Sequence, residues 1–210
     1  MTLIELLVVL AVLAILAVCF LPQLVREKRK AQRIHCTNNL KQTSNLFAIW
    51  LNSHQGSFPT FIYETNGNPV EFDSGPNAWR HFRLISSSFR LPKIFICPAE
   101  TDVNRGAASN FTAFNNSNLS YFVGLAGSGW VTNSILAGDR NISNGTPEKN
   151  GILELTPSQP GGWTKEMHKE IGNILLADGS VLQTSSSGLQ KAVASSGSAT
   201  NRLLLPILAP

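Results

Sequence analysis

A run of 16 residues, Leu6 to Leu21, contains nothing but Leu, Val, Ala, Ile, Cys and Phe. Counted from Met1, 21 residues hold only two polar side chains, Thr2 and Glu5, which is long and greasy enough to cross a bilayer as a helix. Glu5 is the informative exception. One acid inside such a segment costs roughly 2.5–3.5 kcal/mol on insertion, so a partner is expected for it. Nothing within this helix supplies a positive charge, because the nearest cation in the chain is Arg26. The α-amino group of a neighbouring copy would lie at the right depth, which points to a chain that assembles with itself. A cleavable secretory signal fits poorly: it should start with Lys or Arg and end in a small-residue cleavage site, whereas this start is acidic and no such site precedes Pro22. A lipoprotein-type reading of Leu16-Ala17-Val18-Cys19 fails on the same start and on the bulk of Val18. An ordinary signal anchor leaves Glu5 unexplained.

The segment Thr2-Leu3-Ile4-Glu5-Leu6-Leu7-Val8-Val9, continued by Leu10-Ala11-Val12-Leu13-Ala14-Ile15-Leu16-Ala17, resembles the mature N-terminus of type IV pilins and type II secretion pseudopilins. Pro22 matches the helix-breaking proline of that family. The resemblance implies an α+β fold shaped like a ladle, with a long N-terminal helix packed on a small antiparallel sheet. It also implies a basic leader removed by a prepilin peptidase, an N-methylated first residue and an assembly machinery in the inner membrane. Met1 takes the position of the methylated residue, where Phe is usual, and Glu5 would neutralise the amine of the next subunit. Three regions follow: 1–25 as the membrane and filament-core half of the helix, 26–55 as its amphipathic half, and 56–210 as a loop-rich headpiece. A filament subunit would pass from the inner membrane to the cell surface. A pseudopilin would stay periplasmic, and a tethered binding module would not polymerise at all.

The net charge of +4 is localised. Arg26, Lys28, Arg29, Lys30 and Arg33 against Glu27 already give that value within residues 23–35, so the basic balance describes a collar suited to phospholipid headgroups. A filament carrying such collars also offers DNA a weak electrostatic surface. Applied literally, the positive-inside rule would place the headpiece in the cytoplasm; a leader removed in processing would add basic residues on the other side of the helix, so the rule does not apply fairly to a processed chain, and the N-terminal motif is followed instead. Cys19 reads as a small apolar residue of the helix. Cys36 and Cys97, 60 residues apart, are expected to pair as a disulfide, because Cys36 falls on the apolar helix face and Cys97 closes the strand-like run Ile94-Phe95-Ile96. Such a loop would contribute roughly 4 kcal/mol.

Beyond Pro22, Cys36, Leu40, Thr43, Phe47 and Trp50 recur at helical spacing, a stripe suited to packing on a sheet. Gly56 and Pro59 stop the helix near His54. A short helix is predicted over Asn77–Phe89, loop over Asn104–Asn118, and strands at 119–123, 134–137 and 152–155. The strongest local signal is Asn173–Ala177, Asp178-Gly179, Ser180–Gln183: Asp-Gly between apolar runs predicts a two-residue hairpin with positive φ at both positions. Residues 184–200 read as exposed, and Leu203–Leu208 as a segment that docks on the domain or on a neighbour.

His168 lies ten residues before Asp178-Gly179. With Cys36-Thr37-Asn38-Asn39-Leu40-Lys41-Gln42 and Phe95-Ile96-Cys97-Pro98, this is similar to pilin-like proteins of planctomycete and verrucomicrobial bacteria that carry a His-x9-Asp-Gly motif. The expected role is structural: His168 bonded near the base of the hairpin, Asp178 and Gly179 forming its turn. A metal site of His168 with Glu166 or Glu170 and Asp178 is disfavoured, since helical spacing does not converge them. Asp102-Val103-Asn104 and Asp139-Arg140-Asn141 lack the oxygen density of a calcium loop. No nucleophile–base pair or phosphate-cradling glycine loop stands out, so neither enzyme activity, metal nor cofactor is expected. Asn-x-Ser/Thr occurs at Asn110, Asn115, Asn118, Asn141 and Asn144, open to glycosylation on a filament surface.

Overall fold

A computed structural model describes residues 2–56, 58–59, 72, 74–86, 89, 91–125, 131–146 and 148–208. Helix α1 (Leu3–Ser53) is continuous for 51 residues, about 75 Å at 1.5 Å per residue. Pro22 does not break it, contrary to expectation. Proline removes one helical hydrogen bond and crowds one carbonyl; the intact turns on either side carry the helix across. The helix ends at His54, whose N–H reaches the carbonyls of Trp50 and Leu51, and Gly56 follows at φ +80°.

The rest of the fold is an antiparallel sheet with helices on it. In chain order the described elements are α2 (Ala78–Ile85), β1 (Tyr121–Gly124), β2 (Ile135–Asp139), β3 (Ile142–Ser143), β4 (Ile152–Leu155), β5 (Gly162–Trp163), β6 (Ile171–Leu176), β7 (Val181–Ser185), α3 (Ser186–Ser195) and β8 (Asn201–Leu204). Six strands pair in the order β4-β8-β1-β2-β6-β7, and β3 with β5 forms a separate ribbon. The long helix on this antiparallel sheet is the α+β architecture expected from the sequence.

Both faces of the sheet are covered, and the period-two alternation of its strands decides which side chain goes where. Val123, Ala137, Leu175 and Leu204 face the core shared with α1 and α2, where Cys36, Leu40, Phe47, Trp50, Phe82 and Phe95 are buried. Their neighbours Phe122, Ile174, Leu176 and Leu203 face the opposite core with Trp163 and with Leu189 and Val193 of α3. Burial on two sides is why these strands read as apolar runs. The predicted helical stripe of α1, from Cys36 to Trp50, is buried throughout, joined by Asn39, Leu46 and Leu51.

Four expectations need correction. The Asp178-Gly179 hairpin is not the two-residue type. Only Gly179 has positive φ, +86°, and its N–H bonds the Leu176 carbonyl at 3.0 Å, while the Leu176 N–H bonds that of Ser180 at 2.9 Å. This is a type I turn closed by a glycine bulge, with Asp178 Oδ1 accepting the Ser180 N–H at 2.8 Å. Residues 184–200 are not all exposed: α3 starts at a Ser185 cap and buries Leu189, Ala192 and Val193, three apolar positions within the Ser- and Gly-rich stretch. The run at Ile94–Ile96 is not a strand but follows from a 3-10 turn over Pro92–Phe95, because Pro92 favours a helical start. The ribbon β3–β5 was not predicted; strands of two residues leave no periodicity to read.

The C-terminal segment docks on its own domain. Leu203 and Leu204 lie in β8 between β4 and β1. Beyond the strand, Arg105 holds the chain down, donating to the carbonyls of Pro206 (2.6 Å), Asn116 (2.7 Å) and Leu119 (2.8 Å), while Asn116 donates to that of Ile207 at 2.7 Å.

Candidate functional site

Two features of the folded chain have no explanation in core packing alone. The first is the lower half of α1. Every described residue from Thr2 to Ala31 is exposed, and the headpiece first buries the helix at Cys36. The segment is long and apolar enough to cross a membrane, and none of its most apolar 18 residues is buried. An amphipathic helix would show one wet face; this one is greasy all round, a surface suited to an apolar environment such as lipid.

Glu5 sits at the start of this rod. Its carboxylate accepts the Thr2 N–H at 2.7 Å, and Thr2 Oγ1 accepts the Glu5 N–H at 3.4 Å, which together make a reciprocal cap. The helix therefore supplies Glu5 with a local hydrogen-bond donor, though not with the positive charge whose absence from the helix was noted in the sequence. The Thr2-x-x-Glu5 spacing is a capping-box signal that was legible in the sequence. A backbone N–H is a donor and not a counter-charge, so the negative charge stays uncompensated along the described rod. Met1, expected to provide the amine, lies outside the described residues.

The second feature is a buried polar cluster where α1 meets the headpiece. Cys36, Cys97, His168 and Asp139 are 0, 2, 3 and 0% exposed. The two sulfurs and the imidazole offer donor atoms that all lie within 4.8 Å of one another. Cys97 Sγ is 3.3 Å from His168 Nε2, and the Cys36 thiol donates to Asp139 Oδ1 at 3.1 Å. Asp139 Oδ2 lies 3.5 Å from His168 Nε2. Both cysteines are free thiols, so the expected Cys36–Cys97 disulfide is not formed. They face each other as anticipated, but each sulfur is engaged by a polar neighbour.

Local structure explains the convergence. Cys36 comes from the buried stripe of α1. Asn39, one turn on, donates to the Ile96 carbonyl at 3.1 Å, and Gln32 to that of Pro98 at 2.9 Å, fixing the segment that presents Cys97. Asp139 ends β2. His168 sits in the loop entering β6, where Met167, Lys169 and Glu170 all have positive φ, between 53 and 63°. For side chains with a Cβ that conformation is strained by roughly 1–2 kcal/mol per residue. The His-x9-Asp-Gly spacing is thus the length of β6 and its two ends: His168 before the strand, the Asp178-Gly179 turn after it. His168 is not at the turn, and Glu166 and Glu170 are exposed and outside the cluster.

The electrostatics follow from burial. Desolvation lowers His168 to about 4, helped by the nearby Arg33 charge, so the imidazole is neutral at pH 7. Desolvation raises Asp139 to about 7 against hydrogen bonds from Cys36 and Asn173. Burial also pushes the Cys36 thiol up. Asn173 anchors the acid twice, its N–H and Nδ2 donating to Asp139 Oδ2 at 2.7 and 2.8 Å. The Tyr121 hydroxyl lies 3.3 Å from Cys36 Sγ. Asn173 and Tyr121 were missed in the sequence, because each sits inside an apolar strand that advertises only its packing, and Asp139 stood out only as part of a sparse calcium-loop pattern.

Beside the cluster, an open cleft is lined by Arg29 and Arg33 of α1, Glu100, Met167 and His168. Glu100 closes one wall, pairing with Arg140 and accepting from Ser120. Burial alone would raise this carboxyl, but the bonds from Arg140, the Asp102 N–H and Ser120 outweigh it and hold it below 4.5. A group with a depressed folded value stabilises above its unfolded value and loses that contribution as pH falls through the folded one. The urea midpoint of wild type is therefore expected to drop as pH falls below 4.5. Glu100→Gln should be the weaker protein at pH 7, with the gap closing in acid. A gap independent of pH would remove the ion pair from this account.

No family model, curated protein or solved structure matches the chain.

Proposed function

We propose that this chain is the structural subunit of a type IV pilus-like extracellular filament, held in the inner membrane by the lower half of α1 before assembly. The observation that carries this reading is the division of one continuous helix into a rod exposed on all sides and a half packed into a headpiece. A membrane satisfies such a rod before assembly and a bundle of identical rods satisfies it afterwards. Glu5 supports the bundle over a plain anchor: its cap leaves a net charge within an apolar surface, and an adjoining subunit's amine supplies the opposite sign. The collar from Arg26 to Arg33 then lies at the headgroup level, at the upper end of the greasy segment. Neither a catalytic role nor DNA binding is needed to explain any of these features.

Electron microscopy of material sheared from the native cells tests the proposal. Thin fibres whose dominant protein is this chain, with an N-methylated first residue by mass spectrometry, are expected. Trace amounts confined to the periplasmic fraction would favour a pseudopilin. A monodisperse monomer in detergent, with no fibres, would favour a tethered binding module.

A further inference from the structure

We propose that Cys36, Cys97 and His168, with the Asp139 carboxylate beside them, form a site for a zinc ion that pins helix α1 to the headpiece. The site stands independently of whether the chain polymerises. Its three donors come from three separate segments: α1, the turn after Phe95 and the loop before β6. Thiolate, imidazole and carboxylate are the ligands zinc takes. The donor separations also suit it. Bond lengths of about 2.3 Å to sulfur and 2.0–2.2 Å to nitrogen and oxygen give tetrahedral edges of roughly 3.4–3.6 Å. Here Cys97 Sγ and His168 Nε2 are 3.3 Å apart, and both lie within 4.8 Å of Cys36 Sγ.

The surroundings are those of a built site. Asp139 Oδ2 takes two donors from Asn173 while Oδ1 faces the Cys36 thiol, so the carboxylate is fixed beside the ligand set. Outer hydrogen bonds of this kind orient metal ligands. Three residues around His168 have left-handed backbones, and strain of this type collects at ligand clamps. A disulfide would account for the two sulfurs but not for the imidazole and carboxylate buried against them. When the ion enters, the Cys36 and Cys97 thiol protons, and any proton on Asp139, leave to water; His168 offers the Nε2 lone pair and releases none. The cleft beside His168 provides access.

The test uses the full chain, purified in detergent under reducing conditions with Cys19 replaced by Ser, since Cys19 is exposed. About one zinc per chain is expected by elemental analysis. Cobalt loading should give thiolate-to-metal charge-transfer absorption and the visible bands of a tetrahedral ion. Cys97→Ser and His168→Gln should lose both. Asn173→Ala should keep the site but weaken zinc roughly 10–100-fold in a chelator competition, as expected for an outer-shell residue. Should those variants fail to fold, chelation of the parent decides: its melting temperature should fall and recover on adding zinc. A folded parent that binds neither zinc nor cobalt, or a Cys36–Cys97 disulfide as the state isolated from cells with no metal bound after reduction, overturns the site.

Discussion

Cells carrying Glu5→Gln are expected to insert the chain into the membrane normally and to make no fibres. The amide is the discriminating substitution. It keeps a carbonyl oxygen able to accept the Thr2 N–H, so the helix cap seen at 2.7 Å survives, while the charge is removed. If Glu5 acts only as a cap, glutamine restores assembly and Glu5→Ala alone is defective, by about 1 kcal/mol of helix-end stability. If Glu5 draws in a neighbouring amine, both substitutions fail alike. The effect is expected to be large because opposite charges in dry surroundings attract far more strongly than in water. Insertion should not suffer, since removing an acid from a membrane helix relieves a cost of roughly 2.5–3.5 kcal/mol. Membrane fractionation and fibre yield, measured on the same cells, separate the two outcomes.

Phe95→Ala is expected to destabilise the headpiece by about 3–5 kcal/mol, a large share of the stability of a domain this size. Phe95 is wholly buried. Its ring lies 5.2 Å from that of Phe82 on α2, 5.5 Å from Phe114 and 6.3 Å from Phe111. Truncation leaves a cavity between aromatic partners from two segments, α2 and the loop that carries Phe111 and Phe114. The Phe95 carbonyl accepts the Ser120 N–H at 2.9 Å, just before β1, so the residue also registers the cysteine-bearing turn against the sheet. A shift in urea midpoint corresponding to under about 1 kcal/mol would mean that this aromatic cluster repacks freely.

What was legible in the sequence follows the length scale of each signal. The 51-residue helix and its buried stripe rest on many repeats of one period, and no single residue such as Pro22 overturned them. Strands β1, β2, β4, β6 and β7 were recognisable from apolar runs, β4 at its observed bounds and the others with ends displaced by one or two residues. The hairpin turn was located correctly and mistyped, because Asp-Gly serves a type I turn with a glycine bulge as well as the tighter form, and only the backbone at Asp178 distinguishes them. Helix α3 was hidden by its Ser and Gly content, although Leu189 and Val193 stand four apart on one face.

The cluster at Cys36 was half legible. The two cysteines and His168 stood out as residue types, and their adjacency in space is a property of the fold. Asp139 could not be matched to them, since 103 residues separate it from Cys36. The Thr2–Glu5 cap, by contrast, was plainly written at T-x-x-E spacing.

Photo-cross-linking at Leu13, within the exposed greasy half of α1, asks most directly whether that rod packs against copies of itself. With a photoreactive residue at this position in the native cells, irradiation is expected to give a ladder of covalent multimers of this chain. The ladder should vanish in Glu5→Gln. Monomer and lipid adducts alone, in cells making the chain at normal levels, would contradict the filament account.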